Sequence, residues 1–131
     1  MREEEKLARD VYLTLGPLWN APIFSNIAQS ESRHMAAVKQ LILTYGLTDP
    51  VGDNPVGAFT NPVFTQLYGE LVAAGSASVA DAYQVGVEVE ELDIADLIQA
   101  LSATNKTDVR SVFQNLLNGS YHHLEAFQSH L

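Results

Sequence analysis

The feature that most constrains this chain is a polar interruption in the apolar face of its second helix. Seven residues step alternately by three and four positions, which is the spacing of the inward face of a bundle helix. They are Phe24, Ile27, Glu31, His34, Val38, Leu41 and Tyr45. A buried Glu is costly unless it is paired, protonated or bound to a metal, so Glu31 and His34 predict first a metal site.

The composition favours one globular domain over residues 1–131 and limits its partners. With 131 residues, of which 47% are hydrophobic and 18% charged, the chain has enough apolar surface to bury a core. A net charge of −9 disfavours nucleic acid and anionic membranes, because both reward clustered Lys and Arg. The chain has no cysteine, so any metal must be held by oxygen and nitrogen. It shows no apolar run of membrane-spanning length and no signal-peptide pattern.

Turn and cap residues predict an all-α chain with four long helices and one short one. The predicted spans are Arg2 to Leu15 before Gly16-Pro17, Asn20-Ala-Pro22 to Tyr45, the short helix from Asn61-Pro62 to Gly75, Ser78 to Ala103, and a last helix capped by Asn105 or Thr107. The crossover between the second and third long helices, which begins at Leu47, is rich in Pro and Gly and is expected to be irregular before the short helix.

The other three long helices carry the same kind of polar interruption. Their predicted inward faces are Glu5, Ala8, Tyr12 and Leu15; Val87, Glu91, Ile94, Ile98 and Leu101; and Val109, Phe113, Leu116, Ser120, His123 and Phe127. Glu5 and Glu31 lie about 11 and about 9 residues from their shared turn, and Glu91 and His123 about 12 and about 16 from theirs. These depths allow the polar groups to meet at one level of a bundle.

A Glu from each of two helices and a Glu-x-x-His from each of the other two is the ligand plan of ferritin-like di-metal bundles. The chain resembles that superfamily, its first helix being similar to that of rubrerythrins in its Glu5, Ala8-Arg9 and Tyr12. More narrowly, it is similar to the family called domain of unknown function 2202. The resembling stretches are Glu3-Glu-Glu-Lys-Leu-Ala-Arg-Asp-Val-Tyr12, Ser30-Glu-Ser-Arg-His-Met35, Glu90-Glu-Leu-Asp-Ile94 and Asn115-Leu-Leu-Asn-Gly-Ser-Tyr-His-His-Leu124.

The resemblance implies a ferritin-like antiparallel four-helix bundle, with the short extra helix in its long crossover. The implied metal ligands are Glu5, Glu31, His34, Glu91 and His123. Ser120 departs from the plan, because it stands where the last helix should offer a carboxylate. Glu88, three residues before Glu91, is the candidate for compensation, since with it four carboxylates would balance two divalent cations. Without it, the five remaining ligands would hold one metal well or two unevenly.

Each of these residues also has an ordinary structural interpretation. Glu5 is explained equally by the helix dipole, and Glu31 with His34 by a neutral hydrogen-bonded pair. Glu88 is explained by an exposed helix face, to which the pattern also assigns Glu90, Asp93 and Asp96. Tyr12 is expected to be a core aromatic residue, with a role in orienting a metal ligand as the other interpretation.

A carboxylate-rich site with two imidazoles suits iron or manganese and would also accept zinc. The leading hypothesis is a di-iron-type site that handles Fe(II) with dioxygen or peroxide, which would make the protein an oxidoreductase. Two alternatives stay open: a non-enzymatic metal-binding or iron-handling module, and a metal-free helical interaction scaffold. The resemblance also favours a homodimer and export after removal of a leader.

Overall fold

The structure, a computed structural model, describes residues 1–131 and is entirely helical outside its turns and loops. Its five helices are α1 (Arg2–Trp19), α2 (Pro22–Thr44), α3 (Pro62–Gly75), α4 (Val79–Ala103) and α5 (Thr107–Gln128). The predicted all-α class and the short helix in the crossover are therefore confirmed. α4 and α5 correspond to the predicted third and fourth long helices. None of the five contains an apolar stretch that could span a membrane.

The four long helices pack around a common interior. Short connections at residues 20–21 and 104–106 fold α1 against α2 and α4 against α5, as in other helical hairpins. α2 also contacts α5 and α1 contacts α4, while α3 packs on the outside of α1 and α4. The molecule is thus a helical bundle whose interior is reached by side chains from α1, α2, α4 and α5.

Two apolar clusters fill that interior. The larger contains the rings of Tyr12, Phe24 and Phe127, whose centroids lie 5.2–5.9 Å apart. The smaller contains Val38, Leu97, Leu101, Leu116 and Leu117. On α2, α4 and α5 the sequence between the two clusters supplies the candidate metal ligands, so a polar layer separates two apolar ones.

Two of the predicted helix boundaries were wrong. α1 does not stop at Leu15 but continues through Pro17 to Trp19. The indole Nε1 of Trp19 donates to the carbonyl of Gly75 at 2.8 Å, a tertiary contact that offsets the backbone hydrogen bond Pro17 cannot make. α5 begins after Lys106, without a capping side chain from the predicted Asn105 or Thr107. The predicted starts at Asn61 and Ser78 are confirmed, because each side chain accepts a backbone N–H of its own helix.

Charged residues of α1 hold the crossover in place. The fully buried Lys6 donates to the carbonyls of Pro55 and Ala58, each at 2.8 Å, and pairs with the buried Asp10. The carboxylate of Glu3 accepts the backbone N–H of Thr60 at 2.6 Å and that of Asn61 at 3.1 Å. Glu3 and Lys6 are therefore occupied by the crossover, whereas Glu5 faces the bundle interior.

Candidate metal centre

The polar layer draws buried ionisable side chains from all four long helices. Glu5 on α1, Glu31 on α2 and Glu90 on α4 are fully buried, and Asp93 on α4 is 2% exposed. His123 on α5 is also buried. The half-buried His34 on α2 reaches the same layer. The interior positions predicted for Glu5, Glu31 and His123 are therefore confirmed.

These side chains form two triads that share one carboxylate. The Glu31 Oε2 atom lies 3.3 Å from the Nδ1 of His34, and its Oε1 atom lies 3.0 Å from the Nδ1 of His123. Glu5 Oε2 completes the first triad at 3.2 Å from His34 Nδ1, and Glu90 Oε1 completes the second at 3.3 Å from His123 Nδ1. Within each triad the ligand-type atoms all lie within 4.8 Å of one another. Glu31 can thus offer one oxygen to each of two cations.

Several of these buried atoms have no hydrogen-bond partner. Among them are Glu5 Oε1, Glu31 Oε1, Glu90 Oε2 and His123 Nδ1. His123 Nδ1 nevertheless lies 3.0 Å from Glu31 Oε1, so these two atoms form an ion pair when the ring is protonated. An unsatisfied buried polar group costs about 1–3 kcal/mol, so a proton or a cation placed among these atoms would stabilise the layer. Carboxylate oxygens and imidazole nitrogens are donors that divalent iron, manganese and zinc accept.

Burial and mutual repulsion make the carboxylates hard to ionise. Burial, reinforced by Glu31, raises the pKa of Glu5 to about 8. Burial and the neighbouring Glu5 and Glu31 raise the pKa of Asp93 to about 9, and burial also raises the pKa of Glu90. In the metal-free protein, protons on these groups neutralise their negative charge. These protons are released when a cation binds.

The pKa values of the two imidazoles are also raised, but by the neighbouring carboxylates and against the effect of burial. Burial disfavours their charged forms, but hydrogen bonds to Glu31 and Glu5 raise the pKa of His34 to about 10. Glu31 and Glu90 likewise outweigh burial at His123 and raise its pKa to about 9. The polar layer therefore favours positive charge on both rings.

Neighbouring hydroxyl groups orient the ligand candidates. The hydroxyl of Tyr12 donates to Glu90 Oε1 at 2.9 Å, and the hydroxyl of Ser30 lies 3.1 Å from the Nε2 of His123. Burial and the charge of Glu90 raise the pKa of Tyr12 well above its ordinary value, so its hydroxyl keeps the proton that it donates. Such supporting contacts fix the geometry of metal ligands. Tyr12 thus contacts a ligand candidate, as one of its two predicted interpretations requires.

The prediction for α4 was wrong by one residue. Glu91 and Glu88 are exposed and join neither triad. Val87 and Leu101 are buried as predicted, whereas Glu90, Asp93 and Leu97 are buried in place of Glu91, Ile94 and Ile98. Glu90 and Asp93, assigned to the polar face by the pattern, are thus buried, while Asp96 is only partly buried.

The error arose because α4 has large apolar residues on more than one side. Ile98, which the predicted face included, is 50% exposed, and Ile94 is half-buried. A shift of one residue turns a helix by about 100°, so taking these two isoleucines as inward placed the predicted face on the wrong side of α4. The sequence signal that was missed is the glycine at position 86. A Cβ atom there would lie 2.6 Å from the ring of Phe127, so position 86 faces inward.

The sequence pattern also missed Gly119 on α5. A Cβ atom at this position would lie 2.7 Å from Cε1 and 2.9 Å from Nε2 of His34. The glycine therefore leaves space for the imidazole ring. The sequence signal for this position is the glycine itself. Gly in a helix interior is about 1 kcal/mol less favourable than Ala, so its presence there indicates a packing or functional role.

Together, the fold and the polar layer define an all-helical bundle with a buried carboxylate–histidine cluster. The chain belongs to the DUF2202 family, described as an uncharacterized protein domain, whose model matches residues 1–131. This confirms the resemblance to that family found in the sequence.

A relative and a solved structure agree with that assignment. The chain is 51% identical over 127 residues to the uncharacterized protein MJ0754 of Methanocaldococcus jannaschii, an alignment that covers 97% of this chain and 69% of the relative. It is also similar to the crystal structure of the hypothetical protein MJ0754 from Methanococcus jannaschii, with a TM-score of 0.95 over 97% of this chain and 73% of that one. The two backbones therefore follow the same path over nearly all of this chain.

Proposed function

We propose that this protein is a ferritin-like metal-binding protein whose polar layer holds two divalent cations, iron foremost, and that it handles Fe(II) with dioxygen or peroxide. The observation that carries the proposal is the buried Glu31 carboxylate lying between two histidine-containing triads. Contacts among the four long helices, with α3 in the crossover, support the ferritin-like arrangement. That arrangement builds metal sites from inward carboxylates and histidines.

Each triad would hold one cation. Glu5 and His34 would bind the first, Glu90 and His123 the second, and Glu31 would contribute an oxygen to both. When bound, iron would supply one-electron redox chemistry and open coordination positions for a small oxidant. Before binding, both imidazoles must lose the protons that the carboxylates now hold on them.

The two histidines mark the route by which solvent species reach this site. The side chains of Glu5, Glu31 and Glu90 are fully buried, whereas those of His34 and His123 are 14% and 10% exposed. Ions and small oxidants would therefore arrive along the α2 and α5 side of the bundle. The enclosed carboxylate side keeps bulk water away from the ligands.

Ser120 supports a second candidate function, a redox-silent metal-binding module. Because α5 offers a neutral hydroxyl at this position, one cation would be bound less firmly than in a site with a carboxylate from every long helix. Such a module would carry one tightly held ion per chain, with manganese or zinc in place of iron.

An anaerobic Fe(II) titration of protein stripped of metal by a chelator tests the proposal. We expect two Fe(II) per chain, and oxidation after admission of air that is faster than for the same Fe(II) in buffer. Glu31→Gln should lose both properties, and the exposed Glu91→Gln serves as the matched control that keeps them. One firmly held ion without accelerated oxidation would favour the redox-silent module. No binding of iron, manganese or zinc would reject both candidates and favour a metal-free scaffold.

A further inference from the structure

The polar layer contains no carboxylate from α5. On α2, Glu31 precedes His34 by three residues, whereas on α5 the residue three positions before His123 is Ser120. Ser120 is fully buried, so it occupies the interior position that a ligand would need. Its hydroxyl is neutral and cannot balance the charge of a divalent cation.

A carboxylate from α4 reaches this place instead. Asp93 follows Glu90 by three residues and so lies on the same side of α4. The Ser120 hydroxyl donates to its Oδ2 atom at 2.8 Å, while its Oδ1 atom is buried without any hydrogen-bond partner. Asp93 also lies beside Glu5, near enough for the two carboxyl groups to share a hydrogen bond.

We propose that Asp93 is the fourth carboxylate ligand of the site, supplied by α4 in place of the one that α5 lacks, with Ser120 as the residue that positions it. This inference rests on the proposed two-cation site. Asp93 stands outside the two close triads and would be a sixth ligand residue beside their five. It would bind hard divalent cations of the Mn²⁺ and Fe²⁺ class through Oδ1.

Charge balance favours a fourth carboxylate. Glu5, Glu31 and Glu90 carry three negative charges when ionised, one fewer than the charge of two divalent cations. Asp93 brings the total to four and makes the loaded site neutral, which matters in an interior where an unbalanced charge is costly. The Oδ1 atom of Asp93 accepts from no donor group of the protein, which leaves it free to bind a cation.

Titration with Mn²⁺ tests this assignment without any enzymatic assay. Mn²⁺ is counted by the electron paramagnetic resonance signal of the free ion, and a neighbouring pair gives a spin-coupled spectrum. We expect wild type to bind two ions with that coupled signature, and Asp93→Asn to bind one tightly, with the second at least ~10-fold weaker and the coupling lost. Ser120→Ala should keep both ions and weaken one by about 10-fold.

Moving the carboxylate back to α5 gives the sharpest comparison. The double variant Asp93→Ser, Ser120→Glu should recover the second ion that Asp93→Ser alone loses, and Glu91→Gln is the control for loss of an acid elsewhere on α4. Two ions bound by Asp93→Asn with wild-type affinity would overturn the inference and leave the proposed function standing. Wild type that binds no pair of ions would defeat the proposed function first. If circular dichroism shows Asp93→Asn to be unfolded, unchanged affinity in Ser120→Ala is the overturning result.

Discussion

Replacing Glu31 with glutamine should abolish most of the stabilisation that metal gives this protein. Glu31→Gln keeps the size of the side chain but removes the one carboxylate that both triads share. The variant therefore loses a ligand from each cation, whereas Glu5→Gln loses a ligand from only one. Because Glu31 also lies beside both histidines, the metal-free variant will itself be less stable. The quantity to compare is the metal-induced shift in Tm within each variant.

The size of that shift follows from the length of the chain. For 131 residues, an unfolding entropy of about 2.1 cal/mol/K per residue makes 1 kcal/mol worth about 3.6 °C in Tm. A cation present at 100 times its Kd adds about 2.7 kcal/mol to the free energy of unfolding. One ion therefore raises Tm by about 10 °C, and two ions by about 20 °C.

Differential scanning fluorimetry with anaerobic Fe(II) or Mn(II), each compared with a chelator-treated sample, measures these shifts. We expect about 20 °C for wild type and for the exposed control Glu91→Gln, about 10 °C for Glu5→Gln, and under about 5 °C for Glu31→Gln. A Glu31→Gln protein that folds and keeps the wild-type shift would refute the shared role of this carboxylate.

Three further outcomes follow from the contacts around the site. Tyr12→Phe removes the hydroxyl that donates to Glu90. We expect calorimetry to show that two ions still bind, one of them about 10-fold more weakly than in wild type. Unchanged affinity would show that the contact does not support the site. Gly119→Ala places a methyl group against the His34 ring, and the circular dichroism spectrum should stay helical while one ion per chain is lost; full occupancy would contradict this. The raised pKa of Glu5 means that its protonated form stabilises the metal-free fold below about pH 4.5, a contribution lost as the pH rises through about 8. The metal-free Tm should therefore fall between pH 5 and pH 9 on the scale of these pKa values, while the metal-induced shift grows; a metal-free Tm that rises would oppose this.

Periodicity predicted buried positions of α1 and α5 because apolar residues recur there at helical spacing. On α5, Leu116, Ser120 and His123 are buried as their spacing predicts, and on α1 so are Glu5 and Tyr12. On such helices a polar residue within the apolar face is conspicuous. The sequence alone was therefore sufficient to identify most of the polar layer.

The same method failed on α4 because its hydrophobicity does not point in one direction. Val85, Val87 and Val89 are all buried although they cannot share one narrow helical face, while Ile98 is half exposed. The choice between Glu90 and Glu91 is then decided by tertiary packing, which sequence periodicity does not contain. The prediction that α4 supplies two carboxylates three residues apart nevertheless has a structural counterpart in Glu90 and Asp93.

The continuation of α1 past Pro17 has a comparable cause. Local rules stop a helix at Gly-Pro, but the hydrogen bond from Trp19 to Gly75 comes from a residue 56 positions away. A contact of that range is invisible to rules that consider neighbouring residues only. The helix start at Ser78 was predicted correctly, because its cap is a contact between neighbouring residues, which local rules do describe.

The most direct test of a two-cation site is an anomalous-diffraction measurement on crystals grown anaerobically with Mn(II). Two anomalous peaks in the polar layer, one on either side of the Glu31 carboxylate, are the predicted result. Peaks confined to surface acids such as Glu88 and Glu91, or a polar layer with no anomalous signal at saturating Mn(II), would contradict the assignment of this layer as a metal centre.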